Sequence, residues 1–177
     1  MKTEYEARVL EIDKDEIAKK IVELGGKLQG EFDQRRYVYD LNPVIDNKWI
    51  RLRTDGIKTT LTIKHRTNDK IDGTKELEIE VSDFDDTNKI LEELGYKFRA
   101  YQENKRTRYT LNGVELDIDQ WPLIPPYLEI EGKSEQEINS MIELLAVDKS
   151  KITSKGVRLV YEDFYGIDIM PIKELKF

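Results

Sequence analysis

Charged and apolar residues alternate at the start of the chain, in the stretch EYEARV from Glu4 to Val9. Residues two apart in a β-strand point to the same side of a sheet. Glu4, Glu6 and Arg8 would therefore share one face, and the three residues between and after them would share the other. The pattern predicts a strand with one charged face and one apolar face.

Seven further segments have strand-like composition and are bounded by turn residues, and most of them alternate in the same way. We predict strands at Arg36 to Leu41, Lys48 to Thr54, Lys58 to Arg66, Lys75 to Ser82, Lys105 to Leu111, Val114 to Asp119 and Tyr127 to Glu131. The dipeptides Asp55-Gly56 and Asn112-Gly113 are typical of tight hairpin turns. The prediction is therefore about eight strands, most of them antiparallel.

Helical spacing of apolar residues marks three other segments. The first runs from Asp13 to Gly25, the second from Asp83 to Gly95, and the third begins at Ser134, which forms a capping-box pattern with a glutamate three residues later. The apolar stripe of each helix is expected to pack in the core. The stripes are Ile17, Ile21 and Leu24 in the first helix, Ile90, Leu91 and Leu94 in the second, and Ile138, Met141, Ile142 and Leu145 in the third.

The order strand, helix, strand and hairpin occurs twice. In the first copy, the strand EYEARVLEID precedes a helix that ends in IVELGGK, and in the second copy, ELEIEVSDFD precedes a helix that ends in ILEELGYK. A strand rich in basic and aromatic residues follows the helix in both copies. We predict one pseudo-symmetric α+β domain spanning residues 1–177, in which eight antiparallel strands close into a barrel with the helices packed outside. Such a barrel has no exposed edges and has room for side chains or one small ligand.

The charged residues are sorted by strand. Three strands carry only acids on their polar face, namely Glu76, Glu78 and Glu80 in one, Glu115, Asp117 and Asp119 in the next, and Glu129 and Glu131 in the third. Three others carry mainly bases, namely Arg51 and Arg53, Lys64, and Arg106 and Arg108. An ordinary half-exposed sheet also alternates, but a solvated face is expected to mix the two signs. Arginine also dominates the basic strands, and its rigid fork suits bidentate binding of oxyanions.

The alternative to a solvated face is a barrel whose charged face lines its interior. Buried charges are costly without partners, so that interior would be wet, internally paired or filled by an ionic ligand. A polyanion bound by Arg and Lys, with divalent cations linking it to the carboxylates, would satisfy both signs. A nucleoside triphosphate or tripolyphosphate is the simplest ligand of this kind.

Composition narrows the chemistry further. The 177 residues include 36 acids against 29 Lys plus Arg, a net charge of −7, no cysteine and one histidine, His65. The acidic balance argues against a nucleic-acid or anionic-membrane surface, and the scarcity of Cys and His excludes thiolate chemistry and makes multi-His zinc sites and a Ser-His-Asp relay very improbable. Without a signal-type segment or a membrane-length apolar run, we expect a cytoplasmic protein. Carboxylate ligands favour Mg²⁺ or Mn²⁺.

The ordered motifs resemble the CYTH superfamily, the triphosphate tunnel metalloenzymes, which include class IV adenylate cyclases, thiamine triphosphatases and inorganic tripolyphosphatases. EYEAR matches the family's opening Glu-x-Glu-x-Lys motif at Glu4 and Glu6, with Arg8 in the lysine position. WIRLR, TLTIK, ELEIE, KRTRY, VELDID and YLEIEG follow in the family's order over roughly residues 1 to 131. The resemblance implies an eight-stranded antiparallel tunnel that binds a triphosphate with a divalent metal.

The resemblance also implies roles for individual residues. The implied metal ligands are Glu4, Glu6, Glu129 and Glu131, with Asp117 or Asp119 contributing. The implied phosphate-binding residues are Arg8, Arg51, Arg53, Lys64, Arg106 and Arg108. Glu6, Arg8, Arg53 and Lys64 would act in catalysis, and Glu76, Glu78 and Glu80 would line the tunnel and either bind metal or orient the basic residues.

Two departures from the family pattern affect the mechanism. Arg8 has no accessible neutral form, which argues against it taking a proton from water. In QRRYVYD, Arg36 stands where the family often has an acid. Arg35 or Arg36 would then add a phosphate contact or select a different substrate end, unless the pair forms surface salt bridges.

Three functions are consistent with these residues. The first is a metal-dependent hydrolase of tripolyphosphate, a nucleoside triphosphate or thiamine triphosphate. The second is an adenylate cyclase of class IV type, for which we find no base-recognition motif, and the third is a non-catalytic polyphosphate or nucleotide binder. The loop WPLIPPY with Trp121 would form a rim or a homodimer contact. In the C-terminal segment, Lys155 and Arg158 could reach the ligand, while Tyr161, Phe164 and Tyr165 are expected to pack on the barrel exterior.

Overall fold

Ten strands and four helices are arranged along the chain in a computed structural model that describes residues 1–177. The elements are β1 (Lys2–Val9), α1 (Lys14–Glu23), β2 (Lys27–Ile45), β3 (Lys48–Thr54), β4 (Thr59–Arg66), β5 (Thr74–Val81), α2 (Phe84–Glu93), β6 (Phe98–Leu111), β7 (Val114–Gln120), β8 (Tyr127–Gly132), α3 (Glu135–Leu145), β9 (Ile152–Thr153), α4 (Val157–Tyr165) and β10 (Glu174–Leu175). A short 3₁₀ turn, Lys149–Lys151, precedes β9.

Strands β1 to β8 close into an antiparallel barrel, as the sequence predicts. Around the barrel the order is β1, β5, β4, β3, β2, β6, β7 and β8, and β8 pairs with β1 again. The short β9 adds to β1, and β10 adds to β6 in parallel. Strands β2 and β6 begin well before their predicted starts, and they are the longest strands of the barrel.

The neighbour order preserves the internal repeat. Exchanging β1 to β4 with β5 to β8 reproduces every pairing of the barrel, with β1 next to β5 and β2 next to β6 at the two junctions. Helices α1 and α2 occupy equivalent places after β1 and β5. The two halves therefore form two matching walls around one interior.

The apolar cores lie outside the barrel, beneath the helices. The largest cluster joins the outward faces of β1, β7 and β8 to α1 and α3, and Ala7, Leu116, Leu128, Ile130 and Ile138 are fully buried in it. A smaller cluster lies between α2 and β3, and another joins α4 to the loop after β7. Because the apolar residues of each strand are used on the outside, their charged neighbours face inward.

Two expectations about the helices are wrong. In α2 only Leu91 of the predicted stripe is buried, whereas Ile90 and Leu94 are 60% and 69% exposed. The helix is ten residues long, and Leu94 lies at its C-cap, past the last turn that contacts the barrel. Leu24, at the C-cap of α1, is also exposed.

The fourth helix, α4, is absent from the sequence prediction. Its N-cap is Gly156, which provides no side-chain cap, so the usual N-terminal signal is missing. Its C-cap is Gly166, whose φ is 66°. Tyr161 packs in the core as expected, but Phe164 is exposed. No helix of the structure has the length and apolar character that crossing a membrane requires.

The contrast between Leu91 and Leu94 gives a direct test of this packing. Leu91→Ala should lower the free energy of unfolding by about 2–3 kcal/mol, because it removes buried methyl groups next to Phe84. Leu94→Ala should change it by less than about 0.5 kcal/mol, since its side chain is already in water. Urea denaturation of both variants measures the difference, and equal costs would contradict the placement of α2.

Candidate active site

The barrel encloses a cavity of about 530 Å³ that is lined by charged side chains. Among the predicted site residues, the structure brings the following to its wall: Glu4, Glu6, Arg8, Arg51, Arg53, Lys64, Glu76, Glu78, Arg106, Arg108, Asp119, Glu129 and Glu131. Asp117 is buried beside them and is bound by Arg106 and Arg108. Glu80 does not line the cavity, because it lies at the barrel end, paired with Lys58 and 67% exposed at its side chain.

Strand register sets rows of charges across the cavity wall. Glu6 on β1 lies opposite Glu131 on β8, which lies opposite Glu115 on β7, so three acids are side by side. Like charges directly opposite one another are destabilising unless a cation is shared between them. Glu6 is paired with Arg8 at 2.9 Å and Glu115 with Arg108 at 2.7 Å, so the unmet need for positive charge in this row lies at Glu131.

Arg106 neutralises three of the predicted metal ligands in the free protein. Its guanidinium lies 2.6 Å from Asp117, 2.6 Å from Asp119 and 2.9 Å from Glu129. Burial alone would lower the pKa of Arg106, but these carboxylates raise it well above its usual value. Asp117 also receives two hydrogen bonds from Arg108. A metal role for these acids stays a prediction, and it would require them to exchange arginine for metal.

Arg8 links the acids of β1 and β8. Its Nη2 donates to Glu129 at 2.5 Å and to Glu6 at 2.9 Å, and its Nη1 donates to the main-chain carbonyl of Lys155 at 2.9 Å. Burial opposes the charge, but Glu6 and Glu129 raise the pKa of Arg8 well above its usual value. Arg8 is therefore a permanent cation.

Glu131 forms no ion pair, unlike its neighbours. Burial, together with the charges of Glu129, Glu115 and Glu6, raises its pKa to about 7. Carboxylates with this surplus of negative charge suit a hard divalent cation. In the present side-chain positions, however, no group of three or more acids is arranged closely enough to hold one.

Lys64 occupies the middle of another acidic pair. Its Nζ lies 2.9 Å from Glu4 and 3.2 Å from Glu76, on the two strands that meet where the halves of the barrel join. Burial raises the pKa of Glu4 to about 7 although Lys64 opposes this shift. One lysine therefore serves two carboxylates, and this wall also keeps spare negative charge.

The opposite wall has spare positive charge. Arg51 is 3.4 Å from Glu78 and 3.8 Å from Glu76, and Arg53 is 3.9 Å from Glu78, so these pairs are much looser than those of Arg8. The neighbouring Arg51, then burial, then Arg106 lower the pKa of Arg53 to about 10. Mutual repulsion of buried guanidinium groups indicates a surface that favours an anion.

Several cavity residues lie outside the predicted set, among them two arginines. Arg66 lies two residues after Lys64 on β4, so extending the alternation of TLTIK would have placed it inside. It contacts Glu6 at 3.7 Å. Of the arginine pair left open by the sequence, Arg36 is buried in the cavity, whereas Arg35 points outward and stacks on Phe84.

The C-terminal residues reach the cavity in part. Arg158 lines it, but its side chain pairs with Glu162 on its own helix. Lys155 pairs with Asp163, and only its carbonyl contacts the charged interior, through Arg8. Trp121, which was expected to form a rim or a homodimer contact, is instead buried at the cavity wall.

The sequence was compared with models of protein families and with curated proteins. The family model described as CYTH domain matches residues 2–156. No curated protein matches the chain in sequence.

Several solved structures have similar folds. The PH1012 protein of Pyrococcus horikoshii OT3 is 23% identical with a TM-score of 0.75, over 86% of this chain and 96% of that one. A suspected adenylate cyclase of Vibrio parahaemolyticus is 11% identical with a TM-score of 0.75, and the match covers 94% of this chain and 99% of that one. A suspected adenylyl cyclase of Hippeastrum, described as having a dominant triphosphatase activity, is 14% identical with a TM-score of 0.59, over 94% and 96%. At these identities the similarity shows the fold.

The raised pKa of Glu131 predicts a pH-dependent stability. Between pH 4.5 and 7 the folded protein holds a proton on Glu131 that the unfolded chain has lost, so this group makes the protein less stable as pH rises through that range. In EDTA at pH 8, Glu131→Gln removes a partly buried, unpaired negative charge and should raise the free energy of unfolding by about 1–2 kcal/mol. This value is smaller than the pKa shift alone would give, because solvent screens part of the charge. The gain should disappear near pH 4.5, where wild-type Glu131 is protonated.

Thermal unfolding of wild type and variant at both pH values measures this effect. A glutamine at Glu31, an exposed residue of β2 without an ion pair, serves as the matched control and should leave the melting temperature unchanged at either pH. A variant that is no more stable than wild type at pH 8 would contradict the unpaired state of Glu131.

Proposed function

The chain belongs to the CYTH domain family, and on this premise we propose that it is a divalent-metal-dependent hydrolase of a triphosphate bound inside the barrel. The candidate substrates are inorganic tripolyphosphate, a nucleoside triphosphate and thiamine triphosphate. All three share a chain of phosphates with several negative charges.

The excess of buried positive charge on one wall carries this proposal. Burial, followed by the charges of Arg53 and Arg51, lowers the pKa of Arg36 well below its usual value. Arg51 likewise lowers the pKa of Arg53, and Arg36 has no carboxylate partner. A protein keeps buried, mutually repelling cations only at a cost in stability. An anionic substrate between them would remove that cost, and the long Arg51 and Arg53 ion pairs leave guanidinium donors to bind it.

The acids of the other wall supply the second half of the site. Glu4, Glu6, Glu129 and Glu131 are the carboxylates that would hold Mg²⁺ or Mn²⁺. When bound, such an ion neutralises phosphate charge and lowers the pKa of water. The chain's own residues would then divide the work, since Arg51, Arg53 and Lys64 would hold the phosphates in line for attack.

Arg8 has a positioning role in this scheme. Its permanent charge excludes it as the acceptor of a proton from water, but its hydrogen bonds fix Glu6 and Glu129 relative to each other. Arg106 does the same for Asp117 and Asp119. These two arginines would therefore set the carboxylate geometry before the substrate arrives and stabilise phosphate charge when the acids turn to metal.

Product analysis tests the reaction class. Protein with Mg²⁺ or Mn²⁺ is offered tripolyphosphate, ATP and thiamine triphosphate, and phosphate, pyrophosphate and cyclic AMP are measured. We expect release of phosphate, which EDTA abolishes and added metal restores. Cyclic AMP with pyrophosphate would instead establish the cyclase, and saturable binding without turnover would establish a binding protein.

Two substitutions test the site itself. Glu6→Gln and Arg53→Ala should each lower kcat by at least about 100-fold, the size of effect typical of lost electrostatic stabilisation. Glu16→Gln and Arg35→Ala make the same changes at side chains outside the cavity and should retain near wild-type activity. Wild-type turnover in both site variants would contradict the assignment of the cavity as the active site.

A further inference from the structure

Three of the residues that line the cavity each have a buried side-chain donor without a hydrogen-bond partner, and these donors are among nine such polar atoms in the protein. They are Nε of Arg36, Nε1 of Trp121 and Oη of Tyr127. The three residues line the same cavity and are only 7%, 4% and 1% exposed. We call them the Arg36 pocket.

The fold brings these residues together from separate strands. The Arg36 guanidinium lies over the Trp121 ring, 4.5 Å from its centre. Trp121 follows the end of β7, Tyr127 begins β8, and both belong to the buried cluster beneath α4. The pocket is thus formed where β2, β7 and β8 meet the helix that covers this end of the barrel.

No acid in the chain neutralises Arg36. Its Nη2 donates to Gln34 and Asn104, whose side-chain oxygens are uncharged. Asn104 in turn donates to Asp119, but both oxygens of Asp119 are already bound by Arg106. Asp119 is the acid whose charge acts on Arg36, but it is engaged by Arg106, so Arg36 has no carboxylate partner of its own.

The chemistry of the pocket favours an oxyanion. Arg36 and Trp121 can only donate hydrogen bonds, and the Tyr127 hydroxyl can donate as well. A buried donor without a partner is destabilising, and a ligand that accepts hydrogen bonds from these three side chains would remove that cost. The Arg36 guanidinium also covers one face of Trp121, which leaves that face closed to a stacking nucleobase.

Building on the proposed function, we propose that the Arg36 pocket binds the terminal phosphate of the triphosphate chain. A terminal phosphate carries more charge than an internal one and offers three oxygens, matching one cation and two neutral donors. Arg51 and Arg53 would hold the adjoining phosphates, because Arg53 lies opposite Arg36 in the β2–β3 register. The pocket would thereby fix the end of the chain and with it the phosphorus that is attacked.

Arg36→Gln tests the cation of the pocket. Calorimetric titration in EDTA, with tripolyphosphate and with ATP, should show at least about 10-fold weaker binding than wild type, while the melting temperature of the free protein stays equal or rises because a buried charge is gone. Arg35→Gln is the matched control, since its side chain lies outside the barrel and should change neither affinity. Activity assays should show a raised KM with a smaller change in kcat.

A pair of tyrosine variants separates binding from stability. Tyr127→Phe removes a hydroxyl without a partner and should weaken tripolyphosphate binding about 3- to 10-fold without lowering the melting temperature. Tyr161→Phe removes a buried hydroxyl that donates to the carbonyl of Pro122 at 2.6 Å, and it should lower the melting temperature but leave binding unchanged. A purely structural role for Tyr127 would give the reverse pattern.

The ligands distinguish the source of the phosphate. Loss of affinity for both tripolyphosphate and ATP supports a terminal phosphate common to both, and loss for tripolyphosphate alone supports the end that only the inorganic chain has. Wild-type affinity for both ligands in Arg36→Gln and Tyr127→Phe would overturn the pocket even if the wild-type protein hydrolyses triphosphate. Binding that depends on Arg36 without any turnover would leave the pocket standing and reject the hydrolase. Absence of binding by the wild-type protein would reject both.

Discussion

The structure depends on one constraint: a closed barrel whose apolar residues face outward must enclose its charged residues. Water cannot fully solvate charges in so narrow a space, so each needs a partner of opposite sign. The protein meets this need unevenly. Arg8 and Arg106 hold their carboxylates at 2.5–2.9 Å, whereas Arg51, Arg53 and Arg36 have distant partners or none. The surplus charge of each wall defines what the cavity can bind.

The internal repeat explains how the two signs come to face one another. The pseudo-symmetry places β3 in the same position as β7, but β3 carries arginines where β7 carries acids. In this pair of strands, and in β4 and β8, the geometry is repeated while the charge is reversed. A ligand in the middle of the barrel therefore meets a basic wall and an acidic wall at similar depth, an arrangement suited to a polyanion accompanied by a cation.

Strict alternation made much of this predictable from sequence. In a strand the period of two decides which side chains share a face, so the inward set followed once the strands were recognised, and Arg66 was missed only because the alternation was not extended. The sequence could not show which acids are held by which arginines, since Arg106 reaches Asp119 and Glu129 through pairings set by the barrel's register. The exposure of Leu94 and the helix after Gly156 likewise depend on tertiary packing that leaves no local signal.

The ion pairs of the free protein constrain how a ligand can enter. Phosphate oxygens that approach Arg8 must compete with Glu6 and Glu129, which already accept its hydrogen bonds. These carboxylates can release Arg8 without leaving buried negative charge only if they gain another cation at the same time. In the proposed reaction, polyanion and metal would therefore bind together. The arginines would exchange their carboxylate partners for phosphate while the carboxylates exchange arginine for metal. Arg8 would strengthen this coupling, because a single guanidinium nitrogen, Nη2, holds Glu6 and Glu129 together until the exchange occurs.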